Sequence, residues 1–177
     1  MRTKNKTRET ENPFFITSTI VNWIPVFSNE IYSNLLFRNF IFYQKKYEME
    51  IIAYVIMPDH FHMICNSRSL RKAVQSLKSY SAKEIIKQLF SYNEIDFLIK
   101  FRMNKLKFKI DSEFQIWQEG YHPKEMFNNI ILKQKIEYIH FNPVKKGLVS
   151  NPEDWKYSSA EFYLTGKQSD LIITPYY

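Results

Sequence analysis

Two histidines one residue apart, His60 and His62, stand inside the stretch Tyr54–Asn66, YVIMPDHFHMICN. The apolar run around them alternates as a strand does. Side chains at i and i+2 of a strand share a face, so both imidazoles project together while Phe61 and Met63 face a core on the other side. Met57-Pro58-Asp59 interrupts the run: proline has no N–H for a ladder and aspartate tolerates turn geometry, which predicts a tight connection between two antiparallel strands. Neutral imidazole is the commonest protein ligand for a divalent metal, and the spacing presents a two-histidine fork at a strand start. Taken alone, such a pair reads equally well as one exposed histidine and one hydrogen-bonded histidine.

A second stretch, Lys135–Val149, reads KIEYIHFNPVKKGLV. Tyr138 and Asn142 are four apart and share a face of a helix. A tyrosine is a competent nucleophile toward a phosphodiester when its phenol is deprotonated and the phosphate is polarised by a metal. An amide oxygen one turn beyond it can join two imidazoles in a three-ligand site with open positions. The competing choice among the twelve tyrosines is Tyr121, which sits by a turn and has no amide one turn beyond it. His122 and His140 read as structural, Asn142-Pro143 as a helix stop, and Trp155 as an anchor for the tail.

The elements that must position these groups follow in order. Residues 14–27 read as a first strand, ending near Pro25. Ser28-Asn29-Glu30 offers an N-cap for a helix over about 29–46, with Ile31, Leu35, Leu36, Phe40 and Tyr43 at helical spacing. Residues 49–56 and 60–66 form the second and third strands. Ser67 or Ser69 caps a helix over 68–90, one piece or two, whose apolar side carries Leu70, Val74, Leu77, Ile85 and Leu89. Residues 95–110 read as helix to about 104 and then extended chain. Residues 114–120 read as a fourth strand and 121–127 as a short fifth. Asn128 or Asn129 caps the helix that carries Tyr138 and ends near Phe141, and Asp154 or Ser158 caps a last short helix. The order predicts an α+β fold, a ferredoxin-like antiparallel sheet with helices on one face and the tyrosine-bearing helix near the C-terminus. Residues 1–13 read as a mobile basic arm, 14–165 as one catalytic domain and 166–177 as a tail.

At 177 residues with 45% hydrophobic and 17% aromatic content, the chain suits one domain with a proper core and argues against disorder. The single cysteine, Cys65, excludes an internal disulfide and a cysteine-type zinc site and suits a reducing cytoplasm. No apolar run approaches the length that spans a bilayer, and the N-terminal arm lacks the apolar core of a signal peptide. The net charge of +7 favours a polyanionic partner, nucleic acid first. Lys72, Lys78 and Lys83 on one helix, and Lys100, Arg102 and Lys105 interleaved with Phe101 and Met103, are the expected phosphate contacts, with aromatics available to unpaired bases.

MPDHFHMI resembles the His-hydrophobic-His (HUH) motif of the single-tyrosine, insertion-sequence-200-like transposases. KIEYIHFNPVKKGLV, PEDWKYSSAEFY and WQEGYHP (Trp117 to Pro123) are similar to blocks of their REP-associated branch, and the resemblance runs from about Phe15 to Tyr163. It implies His60 and His62 as metal ligands, Tyr138 as nucleophile and Asn142 as third ligand, although many relatives carry glutamine there. It further implies Mg2+ or Mn2+, and single-stranded, hairpin-containing DNA cut and rejoined through a 5′-phosphotyrosine. Some relatives act as homodimers and others as monomers. Two other classes compete: a hydrolytic metal nuclease in which water replaces the tyrosine, and a non-catalytic or domesticated single-strand-binding protein.

Overall fold

A computed structural model describes residues 12–176; of the arm expected at 1–13, residues 1–11 lie outside the described residues. The arm's last residues are tied to the sheet: Asn12 Nδ2 donates to Glu125 Oε1 at 3.1 Å, and the Pro13 carbonyl accepts from Met126 N–H at 2.8 Å.

Strands β1 (Phe14–Thr19), β2 (Glu50–Met57), β3 (His60–Asn66) and β4 (Lys124–Glu125) form one antiparallel sheet in the spatial order β2-β3-β1-β4. Between them run helices α1 (Glu30–Lys46), α2 (Leu70–Ser91) and α3 (Ile95–Met103), followed by α4 (Asn129–Lys145) and α5 (Ala160–Thr165). The α+β, ferredoxin-like plan holds, with the tyrosine on α4. Pro58 and Asp59 form the hairpin turn, and their carbonyls accept from Phe27 and Ile20 N–H groups at 2.9 and 2.8 Å. No helix among the described residues is long and apolar enough to cross a membrane.

The helices, however, do not keep to one face. Residues 51–57 of β2 and 61–65 of β3 are buried without a break, and a strand of that kind needs cover on both sides. Side chains of α1 and α2 pack with Tyr54, Ile56, Phe61, Met63 and Cys65 on one face. On the other, Leu132, Ile136 and Ile139 of α4 pack with Phe15, Ala53, Val55, Met57 and Ile64.

Other expectations are corrected by tertiary geometry. The first strand stops at Thr19, not near Pro25, because Asn22 and Trp23 take left-handed backbone angles (φ 51° and 52°) that turn the chain toward α1. Residues 114–120 are not a strand: they meet β1's end through a single Ile20–Trp117 bridge, and Ile116 and Trp117 serve as core plugs. The fifth strand shrinks to β4. Pro143 does not end α4, which runs on to Lys145. The stop comes at Gly147 (φ 67°), where Leu148 N–H reaches the Pro143 carbonyl and Gly147 N–H the Val144 carbonyl, both at 2.9 Å, a Schellman closure.

The outer edge of β2 is covered. Ile56 N–H donates to the Tyr157 carbonyl (2.8 Å), Ser159 N–H to the Tyr54 carbonyl (3.1 Å) and Thr174 N–H to the Ile51 carbonyl (2.8 Å). Trp155 Nε1 clamps the Ile56 carbonyl at 2.9 Å, the anchoring role expected of it. Leu171 and Ile173, in the segment expected as a tail, are buried in the core.

Phe61 is fully buried, 5.0 Å from the Phe40 ring and 5.6 Å from Trp117 between centroids. Phe61→Ala is therefore expected to lose about 3–5 kcal/mol of stability in urea unfolding. A loss under about 1 kcal/mol would mean that the central strand is not packed as described.

Candidate active site

Register decides where the two imidazoles sit. His62 lies opposite Thr17 of β1 and Val55 of β2, and His60 opposite Thr19 and Met57, at the hairpin end of the sheet. Alternation aims both rings at the α4 face, with centroids 4.7 Å apart. His62 is buried and His60 half-buried. Each has its Nδ1 engaged. The Asp59 carboxylate oxygen Oδ1 is 2.5 Å from His60 Nδ1, and Thr17 Oγ1 is 2.7 Å from His62 Nδ1. A proton on each Nδ1, held by these oxygens, leaves the Nε2 lone pairs free. Burial first, then the neighbouring His60 and Lys135, push the His62 imidazole down to about 3, so it is neutral at neutral pH.

Tyr138 arrives from the opposite direction. Asn128 Oδ1 caps α4 by accepting from Ile130 N–H at 2.8 Å, and the Leu132–Ile136–Ile139 stripe docks the helix on the sheet. Tyr138 sits at the exposed border of that stripe with its Oη 3.5 Å from His62 Nε2. Phe15 completes the wall: its ring stacks on His62 at 5.2 Å and meets Tyr138 edge-on at 6.2 Å. Lys135 and Lys145 hold their Nζ atoms 4.9 and 5.6 Å from the centre of the Tyr138 ring. Asn142 is buried one turn beyond Tyr138, and its Nδ2 has no hydrogen-bond partner.

The structure thus brings together His60, His62 and Tyr138 and leaves the other candidates elsewhere. The Tyr121 Oη is buried without a partner, and desolvation raises its pKa, conditions opposite to those a nucleophile needs. His140 is buried against Ser159 Oγ at 2.8 Å and the Tyr163 ring, as a structural histidine should be. Lys72, Lys83, Lys100 and Arg102 are exposed, but α2 and α3 pack on the sheet face turned away from the histidines. Arg102 pairs with Glu113 at 3.3 Å, and Lys105 Nζ donates to the Lys109 carbonyl at 2.6 Å. Lys78 Nζ donates to the Gln118 and Gly120 carbonyls at 3.0 and 3.3 Å, which holds the loop beside β1.

Four residues at the site escape a reading by motif: Asp59, Thr17, Lys135 and Lys145. Asp59 had a local signal, since it immediately precedes His60. The lysines had one too, because offsets of −3 and +7 from Tyr138 fall on its helical face. Thr17 had none, because its partnership with His62 depends on strand register.

The donor set fits a divalent cation. Both Nδ1 atoms lie against oxygen, the arrangement that orients metal-bound histidine, His62 Nε2 faces the Tyr138 hydroxyl at 3.5 Å, and the Asn142 amide has no partner at its nitrogen. Among the described residues no group of three or more His, Cys, Asp or Glu side chains converges. A cation here would rest on the two imidazoles, with the remaining positions left to other donors.

The family of IS200-like transposases matches residues 20–142 of this chain, well over half of it. A curated Haemophilus influenzae protein that carries the name REP-associated tyrosine transposase is 28% identical over 117 residues, 64% of this chain and 60% of its own length. The matched part of the chain thus spans about three-fifths of that relative. Among solved structures, a REP-associated tyrosine transposase bound to a REP hairpin shares the fold with a TM-score of 0.59, at 21% identity over 98% of this chain and 92% of that one.

Because the native His62 binds its proton far more weakly than an unfolded histidine, protonation favours unfolding. Its contribution is complete above about pH 6.5 and falls away as the pH drops toward 3. Nitrogen-resolved NMR is expected to show His62 neutral, with the proton on Nδ1, at about pH 5. A His62 signal that titrates with a midpoint near 6.5 would contradict the buried, Thr17-bonded ring.

Proposed function

The chain belongs to the IS200-like transposase family, and on that premise we propose that it cleaves and rejoins single-stranded DNA through a tyrosine-linked intermediate. The observation that carries the reading is the 3.5 Å approach of Tyr138 Oη to His62 Nε2, made by two elements that the sheet and the α4 stripe hold in place.

In this reading His60 and His62 hold a divalent cation, Mg2+ or Mn2+, through Nε2, with Asn142 as the third protein ligand. When bound, the cation polarises the scissile phosphate and offsets charge on the leaving oxygen. The rest is done by the chain. α4 presents the Tyr138 phenol at the border of the histidine fork, within reach of a phosphate bound there. The phenol oxygen gives up its proton and forms a bond to phosphorus. The bond from phosphorus to the 3′-oxygen breaks, and that oxygen leaves as a 3′-hydroxyl. One phosphodiester is exchanged for another, so the reverse step reseals the strand without a nucleotide cofactor. The Phe15 ring shields His62 from solvent on one side. Asp59 and Thr17 keep both imidazoles in the tautomer that exposes Nε2.

The substrate class is single-stranded DNA with a hairpin. The net charge of +7 and the name of the structural neighbour's ligand support it. His60, His62 and Tyr138 all come from one chain, so the reading requires no second copy at the site.

The test incubates the protein and Mn2+ with an end-labelled library of strands that share a hairpin stem and carry randomised single-stranded flanks. A labelled protein band that survives denaturation, needs the metal and vanishes in Tyr138→Phe is expected. Tyr121→Phe should keep that band. His60→Ala should lower its yield by roughly 100-fold or more, as expected when a metal ligand is removed. Cleavage that persists in Tyr138→Phe without a protein-linked product would point to a hydrolytic nuclease. Binding without any cleavage would favour a binding protein.

The oxygens held against the two Nδ1 atoms, Thr17 Oγ1 and Asp59 Oδ1, give a separate handle on the cation. Thr17→Val, which keeps the side chain's shape, is expected to weaken Mn2+ binding by roughly 10-fold or more, read by electron paramagnetic resonance without DNA. Unchanged Mn2+ affinity would remove Thr17 from the metal-orienting role.

A further inference from the structure

Tyr138 is bracketed by two cations to which the family resemblance assigns no role. Lys135 stands three residues before it and Lys145 seven after, and both ammonium groups converge on its ring, at 4.9 and 5.6 Å from the centroid. Lys135 Nζ also lies 5.3 Å from the centre of the Phe15 ring, which stacks on His62. It is therefore beside the histidine fork as well as beside the phenol. Lys135 is half-buried and Lys145 exposed. Among the described residues neither lies within ion-pair distance of a carboxylate, whereas Lys109, Lys156 and Lys167 each have one.

A half-buried ammonium with no counterion is an unfavourable arrangement unless an anion arrives. Lys135 is such an ammonium; with the exposed Lys145 aimed at the same ring from another turn of the helix, it defines a place where that anion would sit. The aromatic faces of Tyr138 and Phe15 hold the ammonium groups there in the meantime by cation–π attraction. Lysine suits the task, since it is a compact charge on a flexible stem that can follow a moving group.

Resting on the transesterification reading above, we propose that Lys135 and Lys145 form a phosphate clamp that holds the non-bridging oxygens as phosphorus passes to Tyr138 Oη. As the bond from Oη to phosphorus forms and the bond to the 3′-oxygen breaks, the phenol's proton passes to solvent and the 3′-oxygen takes one up from solvent, leaving as a hydroxyl. The starting and product diesters each keep two non-bridging oxygens and a single negative charge, and the transition state between them carries more. The two ammonium groups stay with that charge, stabilise it where it concentrates in the transition state, and retain the 5′-phosphotyrosine for the return step. The two residues are catalytic in the strict sense, because they touch the reacting group.

The experiment uses the full chain and the strand recovered from the library above, in single-turnover reactions with Mn2+. Lys135→Gln and Lys145→Gln are expected to slow formation of the protein–DNA link by roughly 10–100-fold each while DNA affinity changes by less than about threefold. Lys135→Arg and Lys145→Arg should recover most of the rate. Lys146→Gln, an exposed neighbour, is the control and should match the unmodified protein. Rates within about twofold of the unmodified protein, or losses seen wholly in DNA affinity, would overturn the clamp. Thermal unfolding of each variant identifies any that does not fold, in which case the arginine variants and the other lysine decide.

A second measurement separates this proposal from the reading it rests on. Inorganic phosphate is titrated into the metal-free protein while the lysine side-chain NMR signals are followed. Lys135 and Lys145 should shift together, and more than Lys146. An equal response at all three overturns the clamp even if the tyrosine link forms. Selective shifts uphold phosphate binding by the pair even if the recovered strand or the metal has been misassigned.

Discussion

Everything at the site depends on β3 being paired on both sides. Its seven residues are held by β1 and β2 in antiparallel register, and alternation sends His60 and His62 one way and Phe61 and Met63 the other. A slip of one residue would bury the imidazoles among the α1 and α2 side chains and turn Phe61 out toward α4. What prevents the slip is the difference between the two faces. Phe61 fills a space bounded by Phe40 and Trp117, while His62 finds a hydroxyl at Thr17 and a stacking surface at Phe15. Neither side chain could take the other's place without leaving a void or an unsatisfied nitrogen.

That rigidity gives the other half of the site its meaning. Tyr138 stands on a different element, so its distance from His62 is fixed by how α4 rests on the sheet. Ile136 and Ile139 carry the helix over Val55, Met57 and Ile64, and Tyr138 lies just outside the stripe, where its body packs and its oxygen remains available. The continuation of α4 through Pro143 belongs to the same constraint. Proline gives up one N–H, but the Schellman closure at Gly147 satisfies the carbonyls of Pro143 and Val144 beyond it. The helix therefore keeps Tyr138, Asn142 and Lys145 on one regular surface. The Trp155–Ser159 segment and Thr174 then lie along β2 and remove the open edge that would otherwise leave the histidine-bearing sheet free to pair elsewhere.

How much of this the chain disclosed in advance varies with the range of the interaction. Period-two alternation around His60, the caps at Asn29 and Asn128 and the spacing of Tyr138 to Asn142 are local, and the elements they mark lie within a few residues of where they were expected. Residues 114–120 mislead because Phe114, Ile116 and Trp117 have strand composition, yet they are used as plugs against Phe27, Phe61 and Phe90. The layer arrangement was hidden for a related reason. The unbroken apolar run in β2 already signalled two covered faces, but topology counting alone favoured one. Thr17 was out of reach, since only the register of β1 on β3 makes it the partner of His62. Lys78 shows the converse: its charge looked available, and the fold uses it to hold two loop carbonyls.

The same contrast orders the electrostatics. A net charge of +7 describes the field that a distant strand would feel, and at physiological salt that field decays over about 8 Å. The exposed lysines of α2 and α3 contribute to it, yet they sit across the sheet from the histidines, so a phosphate at Tyr138 is separated from them by a packed layer. Charges that act on a bond being made must be within contact distance and free of other partners. Lys135 and Lys145 lie 4.9 and 5.6 Å from the centre of the Tyr138 ring, whereas Lys78, Lys105 and Arg102 are engaged elsewhere. Counting basic residues therefore explains why a polyanion would approach, and the geometry of α4 explains where it would be held.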